Sequence, residues 1–215
     1  MKLEDKLEKD YEDNLEEDLT YDDDDTGEDY TDEEEEYEEL CRRRMDKIFT
    51  FTDLKYKERK QKDKFSLSGN PLDICGVLYL SNNFILKNII VALLHTVIED
   101  LETIEEELKS WLEVTEEEME AIRLLAKEKY YNMEDFLNTI TENNIARIVK
   151  IADRIYTLQN SLIEEETDSF RYKYLVETKK YFKEIAKGTG MEWLLEKSME
   201  SVESLLKSNG FVVDI

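Results

Sequence analysis

The chain has 215 residues, 40% hydrophobic and 39% charged, enough to bury one sizeable core. A single proline and six glycines leave few helix breakers. With alternating β-branched runs nearly absent, that composition argues against a sheet-rich architecture and predicts an all-helical one. The formal net charge of −25 argues against generic nucleic-acid binding and against attraction to anionic lipid.

The charge is concentrated at one end. Residues 1–40 hold 22 acidic residues against three lysines, whereas residues 41–215 are close to balanced, with 32 acids against 26 bases. We therefore expect two parts, an acidic tail over 1–40 and a helical domain over 41–215. Too few aliphatic side chains punctuate the tail to repay the entropy of ordering, so disorder is expected there. Leu3, Leu7, Tyr11, Leu15 and Leu19 nevertheless recur every four residues, a spacing that suits an amphipathic helix docked on a partner. Such a tail serves as a solvating segment, as a nucleic-acid mimic, or as a ligand for a basic protein groove. Cys41 and Cys75 form no recognised spacing motif, and no apolar export segment stands at the start of the sequence. A reduced, cytoplasmic protein is expected, without a membrane span.

After Glu38 the stretches CRRRMDKIF and KYKERKQKDK predict helices separated near Thr50 to Asp53. Lys55, Lys57, Arg59, Lys60, Lys62 and Lys64 form either a phosphate-facing rim or a solvated helix face. SLSGNP over 66–71 is a loop, with Pro71 in the first turn of the next helix, where its missing N–H costs nothing. Residues 72–80 read as a buried helix. After the polar break Ser81-Asn82-Asn83 comes FILKNIIVALLHTVIED over 84–100, apolar on every side and therefore expected at the centre of the domain. It carries His95, the single histidine of the chain, with Glu99 four residues on along the same face.

Thr103 with Glu106 and Thr115 with Glu118 have capping-box spacing and mark two further helix starts. A short helix is expected over Asn132 to Thr141. Asn143-Asn144 then opens IARIVKIADRIYTLQNSL, in which Ile145, Ile148, Val149, Ala152, Ile155 and Leu162 form a stripe with Asp153 at its margin. Two last helices, about Asp168 to Ala186 and Met191 to Ser208, are separated by Gly188-Thr189-Gly190.

Three stretches in order, ALLHTVIED (92–100), ARIVKIADRIYTLQ (146–159) and RYKYLVETKKYFKEIAKGTG (171–190), resemble the HD-superfamily hydrolase domain of the RelA/SpoT-type alarmone enzymes. The likeness spans roughly residues 55–208, and the corresponding family stretches run approximately ALLHD then ED, VKLADRLHN, and a helix ending in glycine after IA. It implies an HD-like multi-helix bundle. Enzymes of that family remove the 3′-diphosphate of (p)ppGpp with one divalent metal, typically manganese, held by two histidines and two aspartates.

On that resemblance His95 and Asp153 match two of the four metal ligands, and Glu99 and Asp100 match the acidic pair that activates water. The remaining two ligand positions are substituted, Asn70 standing where the family has its first histidine and Thr96 where it has the aspartate after the second. Tyr156 and Thr157 replace a histidine and a nucleotide-contacting asparagine. Lys62, Lys150 and Arg154 are candidate nucleotide-binding cations. Since a catalytic metal must be held firmly to acidify its water, the expectation is a degenerate site with no cofactor, acting as a nucleotide- or protein-binding pseudoenzyme. The alternatives are an active pyrophosphohydrolase with a rebuilt manganese or magnesium site, and an inhibitor acting through its acidic tail on a basic nucleic-acid-binding protein. The candidate ligands are thus a guanine nucleotide and a basic protein.

Overall fold

The computed structural model describes residues 32–62, 71–100, 105–125, 132–163 and 166–213, with the side chains of 32–34, 56–62 and 96–100 left aside. The described residues are helical and contain no strand, in agreement with the all-α expectation. They fall into two compact units, one formed by the N-terminal segment to Lys64 with Thr103–Val114, the other by Phe65–Glu102 with Thr115–Ile215.

In the first unit a single helix, α1, runs from Asp32 to Lys62. The expected break near Thr50 to Asp53 does not occur, because this stretch holds no glycine or proline and its Ile48 and Phe51 are buried. The helix also crosses residue 40, so residues 32–40 are helical rather than part of a disordered tail. Glu38 and Glu39 precede Arg42 and Arg43 by four residues, the orientation in which an acid–base pair favours a helix, and acid at a helix start suits its dipole. The tail's remaining residues lie outside those described. The short helix α4 (Glu105–Ser110) belongs to the same unit, with Leu108, Leu112 and Val114 buried. Phe51 meets Trp111 with ring centroids 5.9 Å apart. Glu113, in the left-handed region at φ 56°, accepts from Arg43 Nη2 at 3.1 Å and from Lys47 Nζ at 3.1 Å.

The second unit is built from α2 (Pro71–Leu80), α3 (Leu86–Asp100), α5 (Glu116–Leu125), α6 (Met133–Thr141), α7 (Asn144–Asn160), α8 (Asp168–Glu177), α9 (Lys183–Ile185) and α10 (Glu192–Ser208). Pro71 occupies the first turn of α2, as expected. The capping signals hold as well. Thr115 N–H donates to Glu118 Oε2 at 2.8 Å while Glu118 N–H donates to Thr115 Oγ1 at 3.3 Å. Asn132 caps α6 through the Asp135 N–H, and Asn143 caps α7 through the Ala146 N–H, both at 2.9 Å. The Thr103 signal lies outside the described residues.

Four expectations need correction. The hub of this unit is α7, which packs against α2, α3, α5, α6, α8 and α10, whereas α3 packs against α2, α5 and α7. Ile90 to Leu94 of α3 are fully buried in succession, but Phe84 and Ile85 precede the helix and are about half exposed. Helix α2 is buried on one face alone: Ile74, Cys75, Val77 and Leu78 point inward, while Leu72, Tyr79 and Leu80 are exposed. Finally, the expected helix over 168–186 is interrupted by a π-helical turn at Thr178–Phe182, and Leu162 lies past the end of α7 in a turn.

Gly188 and Gly190 both have φ 76°, which ends the helical run after α9 and restarts it at α10. The Asn83 side-chain amide donates to the Thr189 carbonyl at 2.8 Å, fastening the α2–α3 turn to this glycine turn. Cys41 and Cys75 are both free thiols, and burial pushes the Cys75 thiol up to about 12.

Candidate functional site

Helix α7 places Lys150, Asp153, Arg154 and Thr157 at spacings of three and four, hence on one face. Lys150 is only 5% exposed, although lysine is among the residues least often buried. Its ammonium donates to Asp153 Oδ2 at 2.5 Å and lies 5.9 Å from the centre of the Phe136 ring on α6. The side chains of the pair are 7% and 21% exposed, so the carboxylate has a counter-charge supplied from its own helix in a largely water-free place.

One residue on, Arg154 is also buried, and its Nη2 donates to Glu177 Oε1 at 2.7 Å. Its guanidinium carbon sits 4.0 Å from the Phe182 ring centre and 4.7 Å from that of Tyr174. Among the described residues Arg154 Nη1 is buried without a hydrogen-bond partner, and the nearby faces of two aromatic rings add to the compensation of the charge by Glu177. The π-helical turn Thr178–Phe182 holds five residues, winds more widely than a regular helix and has Phe182 as its last residue. Glu177, Tyr174 and Phe182 were not singled out by sequence. The available signal was Tyr174 and Glu177 three residues apart on one helix, too common a pattern to stand out.

His95, 5% exposed, lies on α3, which packs against α7. Its Nδ1 is 2.8 Å from the Ala92 carbonyl oxygen, which only accepts, so Nδ1 carries a proton and in the neutral ring the lone pair is on Nε2. Thr157 Oγ1 donates to the Asp153 carbonyl at 2.9 Å and thereby serves its own helix. Tyr156 is half-buried.

Of the other expected site residues, Asn70 lies outside the described residues. Thr96, Glu99 and Asp100 belong to the backbone of α3, and Lys62 to that of α1 in the other unit, with none of these side chains described. Among the described residues no group of three or more His, Cys, Asp or Glu side chains is placed to hold a metal ion. His95 and Asp153 alone fall short of the three protein ligands that a firmly bound catalytic ion takes.

The described helices include none long and apolar enough to cross a membrane. Compared with known proteins, the sequence matches no family model and no curated protein. The class defined on these grounds is an all-helical protein whose second unit has a paired, largely buried ionic cluster at its hub.

Proposed function

We propose that this chain is a binding protein, an HD-like domain of the RelA/SpoT hydrolase kind whose catalytic site has degenerated. The observation that carries the reading is the Lys150–Asp153 pair on α7, beside the helix of His95. A carboxylate whose charge is compensated by its own helix needs no metal to be stable in place, and a divalent ion would have to share it with the ammonium. The substitutions at Asn70 and Thr96 act in the same direction.

Between nucleotide and protein as the bound partner, the geometry favours protein. Lys150 and Arg154, the described cations expected to meet phosphate, are both buried and both engaged by carboxylates, so an anionic ligand would have to displace Asp153 or Glu177. The acidity of residues 1–40 suits a basic partner, with attraction that is screened beyond about 8 Å at physiological salt.

A thermal-shift series on the full chain with GDP, GTP and (p)ppGpp, each with and without manganese, tests the choice. Protein as partner predicts no stabilisation by any of them. A saturable rise in melting temperature with one nucleotide would move the reading to nucleotide binding, and a rise with manganese alone would restore the metal site.

A further inference from the structure

The π-helical turn at Thr178–Phe182 has little cause in its own residues. Such turns are rare inside α-helices, and TKKYF contains neither glycine nor proline. The Thr178 hydroxyl donates to the Tyr174 carbonyl at 2.6 Å, a bond that threonine also makes in regular helices. Lys179, paired with Glu203 at 2.6 Å, ties the turn down at one residue only. Arg154 of α7 does more, because it holds both ends. Its Nη2 donates to Glu177, the residue just before the turn, at 2.7 Å, and its guanidinium carbon lies 4.0 Å from the ring centre of Phe182, the last residue of the turn. Glu177 and Phe182 are five residues apart. In a regular α-helix they would point about 140° apart, whereas a π-helical turn, closed from each N–H to the carbonyl five residues back, sets such residues one above the other. One flat guanidinium therefore clasps both only while the segment is π-helical.

The extra residue of the turn also has somewhere to go. Beyond Phe182 the α-helix continues for three residues, Lys183–Ile185, and the chain then enters the turn that holds Gly188 and Gly190, both at φ 76°. A Cβ added at Gly188 would meet nothing within 4 Å, so this turn has open space beside it.

We propose that residues 178–182 are a register switch, held π-helical by Arg154. In the other register the helix runs on as α, Phe182 turns away from the guanidinium, and one residue passes into the glycine turn. The Thr189 carbonyl in that turn accepts from the Asn83 side chain at 2.8 Å, so the passage is felt at the α2–α3 turn, next to the helix of His95. Arg154 thereby couples the hub helix α7 to the start of α3.

Deleting Lys180, an exposed residue within the turn, removes the choice of register: Glu177 and Phe182 are then four apart, and an ordinary α-helix presents both to Arg154. Amide hydrogen exchange is the test, with helicity and cooperative unfolding showing that each variant folds and the amides of α7 and α10 reporting its global opening. Arg154→Met, and Phe182→Leu from the other side of the clasp, are each expected to speed exchange over 178–183 at least tenfold relative to those amides, because every passage between registers breaks hydrogen bonds there. In the chain lacking Lys180 the same substitutions are expected to cause no such local acceleration. Equal acceleration with and without Lys180 would overturn the proposal, since loosened packing alone gives that result, and so would no acceleration in the chain that keeps Lys180. A Lys180 deletion that no longer folds would overturn it too, because the α-helical register would then not fit the same neighbours.

Discussion

Lys150 and Asp153 form an ion pair one turn apart on α7, 2.5 Å from Nζ to Oδ2, on the helix that touches most of the second unit's other helices. Replacing Lys150 by Met keeps the length of the side chain and removes the ammonium from a carboxylate that is mostly shielded from water. Breaking a fully buried pair costs about 3–5 kcal/mol, so this partly shielded one is expected to cost about 2–3 kcal/mol, read as a lower urea midpoint at unchanged slope. The same variant leaves Asp153 more open to cations. Manganese should therefore raise the melting temperature of Lys150→Met more than that of the wild type.

Arg154 draws on the planarity of its guanidinium as well as its charge. Arg154→Lys retains the charge but loses the ring contacts with Tyr174 and Phe182, and a loss of about 2 kcal/mol is expected. A double-mutant cycle of Arg154→Met with Glu177→Gln should return a coupling of about 1–3 kcal/mol. Additive effects within about 0.3 kcal/mol would show that the two side chains do not act together.

Most of the fold's punctuation could be read directly because it rests on short-range chemistry. The caps at Thr115, Asn132 and Asn143, the proline at the start of α2 and the glycines after α9 all act within four residues. What escaped depends on packing across the chain. An apolar run such as 84–94 looks the same whether it is the hub or a neighbour of the hub, and the alternation of exposed and buried residues on α2 is hidden because both faces are apolar. The π-helical turn has no compositional mark, since TKKYF suits an ordinary helix. At the site, sequence pointed to Lys150, Asp153 and Arg154, but not to Glu177 or to the rings of Phe136, Tyr174 and Phe182 that engage them. Those partners are set by how α6, α7 and α8 meet.

Acid should destabilise the α8–α10 side of the second unit in a definable window. Hydrogen bonds first from Lys179 and then from Lys207, each at 2.6 Å, hold the Glu203 carboxyl down at about 2 from an ordinary 4.5. The folded state thus binds this proton less readily than the unfolded state, so the contribution is fully present above about 4.5 and is lost as pH falls toward about 2. Wild type and Glu203→Gln compared by urea denaturation should differ most near neutral pH and converge as pH falls through that window. A gap that stays constant or widens toward acid would contradict the assignment.

The proposed loss of hydrolysis is tested by pyrophosphate release from (p)ppGpp. The full chain is incubated with manganese or magnesium, alongside His95→Ala prepared in the same way. No metal-dependent release above the rate of His95→Ala is expected with either ion. Metal-dependent turnover by the wild type that His95→Ala abolishes would contradict it, and would show that a working metal site had been rebuilt around the remaining ligands.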